Sequence, residues 1–384
     1  MDLSKFDKDC PGQLVQIADG RDVAFVPNPL PDTWDVPNEL THLWVDAREV
    51  LGELRGTGST LPDPGLLLRP LRQREAIRSS SLEGTYATPE ELLAYELDPR
   101  DPSSDKDPVN AWREVLNYQN ALEMGQDLVD GDYPFSEWLI RQLHERLLAG
   151  VRGAGKGPGE IRKTQVHVGA DHRFNPPPPE HLSPLLGQLE REMQANVRID
   201  PLIRALMVHY QFETIHPFRD GNGRIGRLLL ALMIYRNCGF SAPWLYLSEF
   251  FDNHRDDYID ALFNVSAKGD WSGWIRLGLL ATVETGRNTI ERIKRIMALK
   301  AEYEQRIRQH DGRDRLMHLI PHLLSSPIIT YQSAMKALNV TYPTVRADID
   351  ALAEMEIVRE VPSNRRQKLF IAHDIFHLAY FDGE

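Results

Sequence analysis

At 384 residues, 42% of them hydrophobic, 26% charged and 8% aromatic, the chain exceeds one ordinary domain and is too apolar to stay disordered, which excludes a peptide or a small stapled scaffold. A formal charge of −12, from 44 basic and 56 acidic side chains, argues against a polyanion held by the whole surface. Two cysteines, Cys10 and Cys238, make no framework of bridges and lack zinc or redox spacing. The longest apolar run, Leu228 to Ile234, is far short of the roughly 20 residues that span a bilayer, and the opening MDLSKFDKDC has no apolar signal core, so a soluble cytoplasmic chain without membrane partners is expected.

From Met1 to about Arg100, Pro-rich loops alternate with helical patterns at Leu40–Leu54 and Leu66–Leu82. Amphipathic stretches follow between Asn110 and Ala149, one with Trp112, Val115, Leu116, Ala121 and Leu122 on a side, the other with Leu139, Leu143, Leu147 and Leu148. Residues Gly150 to Pro179 are dense in Gly and Pro; within them Ile161–Val168 alternates like a short strand, which predicts an exposed hairpin or flap. Helical periodicity resumes at Leu182–Asn196 and Ile203–Thr214, breaks at the polar bend His216–Arg227, and returns at Leu228–Asn237 and Tyr258–Ile293. Residues 286–384 then carry a net charge of +2 against −14 before them, which suggests a boundary near 286. In that tail Ile329–Ala337, the turn Asn339–Tyr342, Pro343–Met355 and strands at Ile357–Val361 and Lys368–Ala372 read as a winged helix.

Gly150–Lys156 (GVRGAGK) satisfies the first seven positions of a phosphate-binding loop, but Gly157 replaces the required hydroxyl and Pro158 and Gly159 follow where a helix should open, so an ordinary connection is the better reading. The bend His216–Arg227 (HPFRDGNGRIGR) is different, because it gathers a base, a carboxylate, glycines and two guanidiniums between two helices. Gly221 and Gly223 are free to adopt backbone angles that converge N–H groups on an anion, and the helix opening near Arg224 adds its positive end. A polyphosphate suits such a nest. Asp220 is placed for Mg²⁺, Arg224 and Arg227 for distal phosphates, and His216, with an ordinary pKa near 6.5, for taking a proton from a hydroxyl.

This bend resembles the signature of the Fic (filamentation induced by cAMP) proteins, H-x-F-x-[DE]-G-N-G-R-x-x-R, at every position. The resemblance implies a helical core that binds ATP and Mg²⁺ and moves AMP onto a Tyr, Thr or Ser hydroxyl of a protein. It implies His216 as the base, Asp220 at the metal, and Gly221, Asn222, Gly223, Arg224, Gly226 and Arg227 around the phosphates. Upstream, Ser79–Gly84 (SSSLEG) is similar to the family's inhibitory pattern [ST]-x-x-x-E-[GN], which implies that Glu83 pairs with Arg227 and restrains transfer; a further reading has Glu83 orient a water for AMP removal. Ala24–Pro31 resembles the family's N-terminal extension and Pro158–Gly169 its flap, where a protein target would dock along Ile161–Val168. Asn253 and Tyr258 stand where relatives line the base; Gln211, five before His216, is a further nucleotide candidate for which a plain polar helix position is the better reading.

The expected fold is therefore mainly α, a Fic-type core with a short β-hairpin flap, divided as 1–105 with the inhibitory motif, 106–285 as catalytic core and 286–384 as winged helix. Self-modification and a homodimer fit this scheme. DNA is weighed as a partner and not favoured, because Asp348, Asp350 and Glu354 oppose Arg346 on the would-be recognition helix and only Asn364–Lys368 (NRRQK) is a basic tip. The rival reading is a DNA-binding regulator with a vestigial nucleotide site.

Overall fold

A computed structural model describes residues 1–61, 63–151, 155, 157–169, 173–310, 314–361 and 368–381. The chain opens with an antiparallel hairpin, β1 (Gly12–Ile17) and β2 (Asp22–Pro27), in register from Gly12 opposite Pro27 to Ile17 opposite Asp22. Helices α1 (Thr41–Ser59), α2 (Gly65–Ser81) and α3 (Pro89–Leu97) follow, then α4 (Val109–Asp130) and α5 (Glu137–Leu147). After the Gly- and Pro-rich segment come α6 (Leu182–Gln194), α7 (Pro201–Ile215), α8 (Asn222–Asn237), α9 (Ser248–Asn253), α10 (Arg255–Lys268) and α11 (Trp271–Arg308). The tail holds α12 (Leu319–Ser325), β3 (Ile328–Thr330), α13 (Tyr331–Leu338), α14 (Tyr342–Glu354), β4 (Arg359–Val361), β5 (Leu369–Ile371) and α15 (His373–Tyr380), with strand order β3-β5-β4, antiparallel throughout.

The apolar run Leu228–Ile234 is the middle of the core. In α7 every residue but Pro201 and Glu213 is buried, and α8 is buried from Asn222 to Tyr235 except at Gly223, so these two helices sit at the centre and the others wrap them. No described helix is long and apolar enough to cross a membrane. Helix α2 touches α4, α8 and α9 on one side and α12 and α15 of the tail on the other.

Several expectations change. The hairpin β1–β2 was not foreseen. Ile161–Val168 is not a regular strand: among the described residues it forms one antiparallel bridge, Val168 with Phe174, no described neighbouring strand offers a ladder, and side chains such as Arg162 and Gln165 bond the backbone instead. The expected boundary at residue 286 falls inside the unbroken α11. On α14, Asp348 is fully buried and accepts a forked bond from Arg315, so it does not face solvent. Residues 152–154 and 156 of the Gly150–Lys156 loop, and 364–367 of the basic tip, lie outside the described residues.

Candidate active site

Helix α7 ends at His216, which closes it in the left-handed region at φ 51°, a conformation uncommon for a residue with a side chain. Its N–H completes the last turn on the Phe212 carbonyl, and its Nδ1 lies 3.2 Å from the Glu213 carbonyl. A carbonyl only accepts, so Nδ1 carries the ring proton and Nε2 keeps its lone pair. Burial pushes the imidazole down to about 4, so it is neutral near pH 7.

The bend is braced from within. Asn222 Oδ1 accepts from the Phe218 N–H at 2.8 Å while its Nδ2 donates to the Phe218 carbonyl at 2.9 Å, so this side chain is committed to the loop. Gly221 takes φ +77° just before α8 and supplies the expected reversal; Gly223 does not, being an ordinary helical residue. The lack of a side chain at Gly223 serves another purpose: a Cβ there would collide with Glu83 Oε1. Gly226 faces α7, where a Cβ would meet Glu213 Oε1 and Phe212. The first bond within α8 runs from the Ile225 N–H to the Gly221 carbonyl, leaving the N–H groups of residues 222–224 without helix partners.

Arg227 is buried and bonded to α2 and the turn beyond it. Its Nε donates to Ser79 Oγ at 2.9 Å, and its Nη2 to the Ser79 carbonyl at 2.7 Å and to Glu83 Oε1 at 2.8 Å. Burial alone would raise the Glu83 carboxyl, but the guanidinium outweighs it and holds the group below the usual carboxylate range. Glu83 stands past the end of α2, in a turn closed by Gly84 at φ +80°, with Gly84 N–H bonded to the Ser81 carbonyl and Thr85 N–H to the Ser80 carbonyl, a Schellman arrangement. Arg224 has a different partner, Glu114 of α4, whose Oε2 is 3.4 Å from Nη1 and also accepts from Thr85 Oγ1 at 2.9 Å. Asp220 Oδ1 accepts from the Gly221 N–H at 2.7 Å and lies 3.7 Å from Arg224 Nη2, with the side chain 34% exposed.

A cavity of about 260 Å³ opens beside these groups, lined on its polar side by Glu83, Glu213, His216 and Arg227 and on its apolar side by Tyr258 and Phe263 among others. Tyr258 is buried, with its hydroxyl 2.8 Å from His209 Nε2. Two expected base contacts do not reach this cavity. Asn253 is exposed at the end of α9, and the buried Gln211 donates from Nε2 to the Asn28 carbonyl at 2.9 Å, tying α7 to the N-terminal extension. Glu213, which the sequence did not single out, lines the cavity; burial raises its carboxyl to about 8, and its Oε1 is buried without a hydrogen-bond partner.

A buried guanidinium braces the flap. Arg162, nearly fully buried, donates from Nε to the His216 carbonyl at 2.8 Å, from Nη2 to Pro177 and Ile215 carbonyls at 2.6 and 3.3 Å, and from Nη1 to the Thr164 carbonyl at 3.2 Å. On the returning arm Asn175 Nδ2 donates to the Val23 carbonyl at 2.7 Å and its carbonyl accepts the Phe25 N–H, so the β1–β2 hairpin supports it.

Residues 41–127 match the Fic/DOC family N-terminal profile and residues 134–234 the Fic/DOC family profile. Over 100 residues the chain is 39% identical to protein adenylyltransferase fic-1 of Caenorhabditis elegans, covering 26% of this chain and 19% of that one. It is 35% identical over 127 residues to a probable protein adenylyltransferase of Aquifex aeolicus, covering 33% and 36%. The chain thus spans only about a fifth to a third of the curated relatives it matches. A Fic family protein from Desulfovibrio desulfuricans superposes with a TM-score of 0.57 at 21% identity over 88% of this chain and 97% of that one, a likeness of fold. Residues 41–127 and 134–234 thus carry the N-terminal and Fic domains of the Fic/DOC family.

Proposed function

We propose that this chain is a protein adenylyltransferase restrained by its own Glu83. The observation that carries the reading is the pairing of a neutral His216, whose Nε2 is left as a proton acceptor, with a buried Arg227 that Ser79 and Glu83 already occupy. In the step itself His216 Nε2 takes the proton of an acceptor hydroxyl. That oxygen bonds to the α-phosphorus of ATP, the bond to the bridging oxygen breaks, and pyrophosphate leaves. The free N–H groups at the start of α8 face the charge that develops, and Arg227, once released by Glu83, orients the distal phosphates.

Asp220 suits Mg²⁺, because the ion favours one or two carboxylates completed by substrate phosphates, and the partly exposed carboxylate beside the bend is a hard oxygen donor of that kind. When bound, Mg²⁺ neutralises charge on the phosphate oxygens. Self-modification, a protein target docking along the flap at 161–168, a homodimer, a cytoplasmic setting and AMP removal through a Glu83-oriented water belong to the same proposal. So does the reading of residues 286–384 as a winged-helix unit, supported by the order β3-α13-α14-β4-β5.

The test is incubation with α-labelled ATP and Mg²⁺. Glu83→Gly should take up label faster than the wild type, and adding His216→Ala should abolish uptake; labelling that survives His216→Ala overturns the assignment of the base.

A further inference from the structure

His144, near the end of α5, lies outside both motifs yet touches the bend and the flap at once. Its ring is buried and stacked on Phe218, with centroids 3.7 Å apart and planes at 4°. Nδ1 accepts the Gly159 N–H at 2.9 Å, at the root of the flap, where Gly159 takes φ +73°. A nitrogen that accepts carries no proton, so the proton is on Nε2, which donates to the Asp220 carbonyl at 3.0 Å.

The second bond fixes a peptide plane. In the trans 220–221 peptide the carbonyl and the N–H point in opposite directions. His144 draws the Asp220 carbonyl toward α5, and the Gly221 N–H accordingly faces the Asp220 carboxylate. Glycine at position 221 tolerates the flipped plane as readily as the observed one, and the flipped plane would turn a carbonyl dipole toward the same side. We propose that His144 is a positioning residue that keeps the Asp220 carbonyl out of the phosphate cradle and, with the other edge of the same ring, pins the flap root to that cradle. This inference rests on the nucleotide reading above.

Two conservative replacements separate the two bonds, since an Asn amide reaches the place of Nδ1 and a Gln amide that of Nε2. In the Glu83→Gly background, ATP affinity with Mg²⁺ is measured by titration calorimetry and protection of the Gly159 amide by hydrogen exchange. His144→Asn should lose ATP affinity about tenfold while keeping Gly159 protected, as expected for a lost buried hydrogen bond beside a charged ligand. His144→Gln should keep ATP affinity and lose the protection, and His144→Ala should lose both. The proposal is overturned if the Asn and Gln variants fall alike in both measurements, as for a merely structural residue, or if His144→Ala binds ATP like its parent. A Glu83→Gly parent that binds no ATP instead sinks the nucleotide reading and this inference with it. A parent that binds ATP without transferring AMP sinks the transfer step alone.

Discussion

The bend at 216–227 and the described parts of the flap, 157–169 and 173–175, face the same cavity but are built on opposite principles. The bend is set between the two most buried helices and braced by its own Asn222, so its groups arrive already aligned. The flap has one isolated bridge and borrows its order from Arg162 and Asn175. Chemistry needs fixed distances, whereas a docking edge gains from leaving backbone groups to be completed by a partner.

Substitutions should separate the two regions. The largest effect belongs to the bend: His216→Ala should lower AMP transfer by about 10²–10⁴, the usual contribution of a general base, with an unchanged melting temperature. Next, Glu83→Gly should raise transfer by about 10- to 100-fold, the equivalent of one charge-assisted hydrogen bond of about 1.5–3 kcal/mol, read as initial labelling rate. On the flap, Arg162→Ala strands buried carbonyls at about 1–3 kcal/mol each, so it should lower the melting temperature and labelling of a separate target more than it lowers ATP affinity. Equal losses of target labelling and ATP affinity would erase the contrast. Gly226→Ala, crowding Glu213 between α7 and α8, should cost about 1–3 kcal/mol in denaturant unfolding.

The smallest change is expected with pH. A lowered histidine pKa means that the neutral base persists to lower pH, so transfer should stay flat from pH 7 downward and fall only as pH passes about 4. Glu83 raises the His216 value, so Glu83→Gly should shift that acid limb lower still. A limb near 6.5 would contradict the enclosed ring.

What the sequence revealed follows from the range of each interaction. Helices announced themselves by period, and the resemblance of Ser79–Gly84 to an inhibitory pattern implied the Glu83–Arg227 pair, although Glu83 stands beyond the helix rather than on its face and the Ser79 contact was not expected. Partners chosen across the fold left no such mark. Glu114 on Arg224, His144 between flap and bend, and Arg162 on four carbonyls are single polar residues in amphipathic or Gly-rich text, where a solvated position is the ordinary reading. Gln211 turns to the Asn28 carbonyl, in keeping with a polar helix position, and the Asn222 amide braces the loop by spanning the Phe218 backbone. Alternation at Ile161–Val168 signalled extended backbone, but a strand also needs a neighbour, which local sequence cannot supply.

Helix α2 meets partners along its length. At its middle, the Tyr380 hydroxyl of α15 donates to the buried Gln73 side chain; one turn earlier Arg69 pairs with Glu96 at 2.9 Å, and near its finish Ser79 grips Arg227. At a rise of about 1.5 Å per residue, Gln73 and Ser79 are only about 9 Å apart along one rigid rod. The tail contacts and the Arg227 contact thus share one continuous helix, within about two turns of each other.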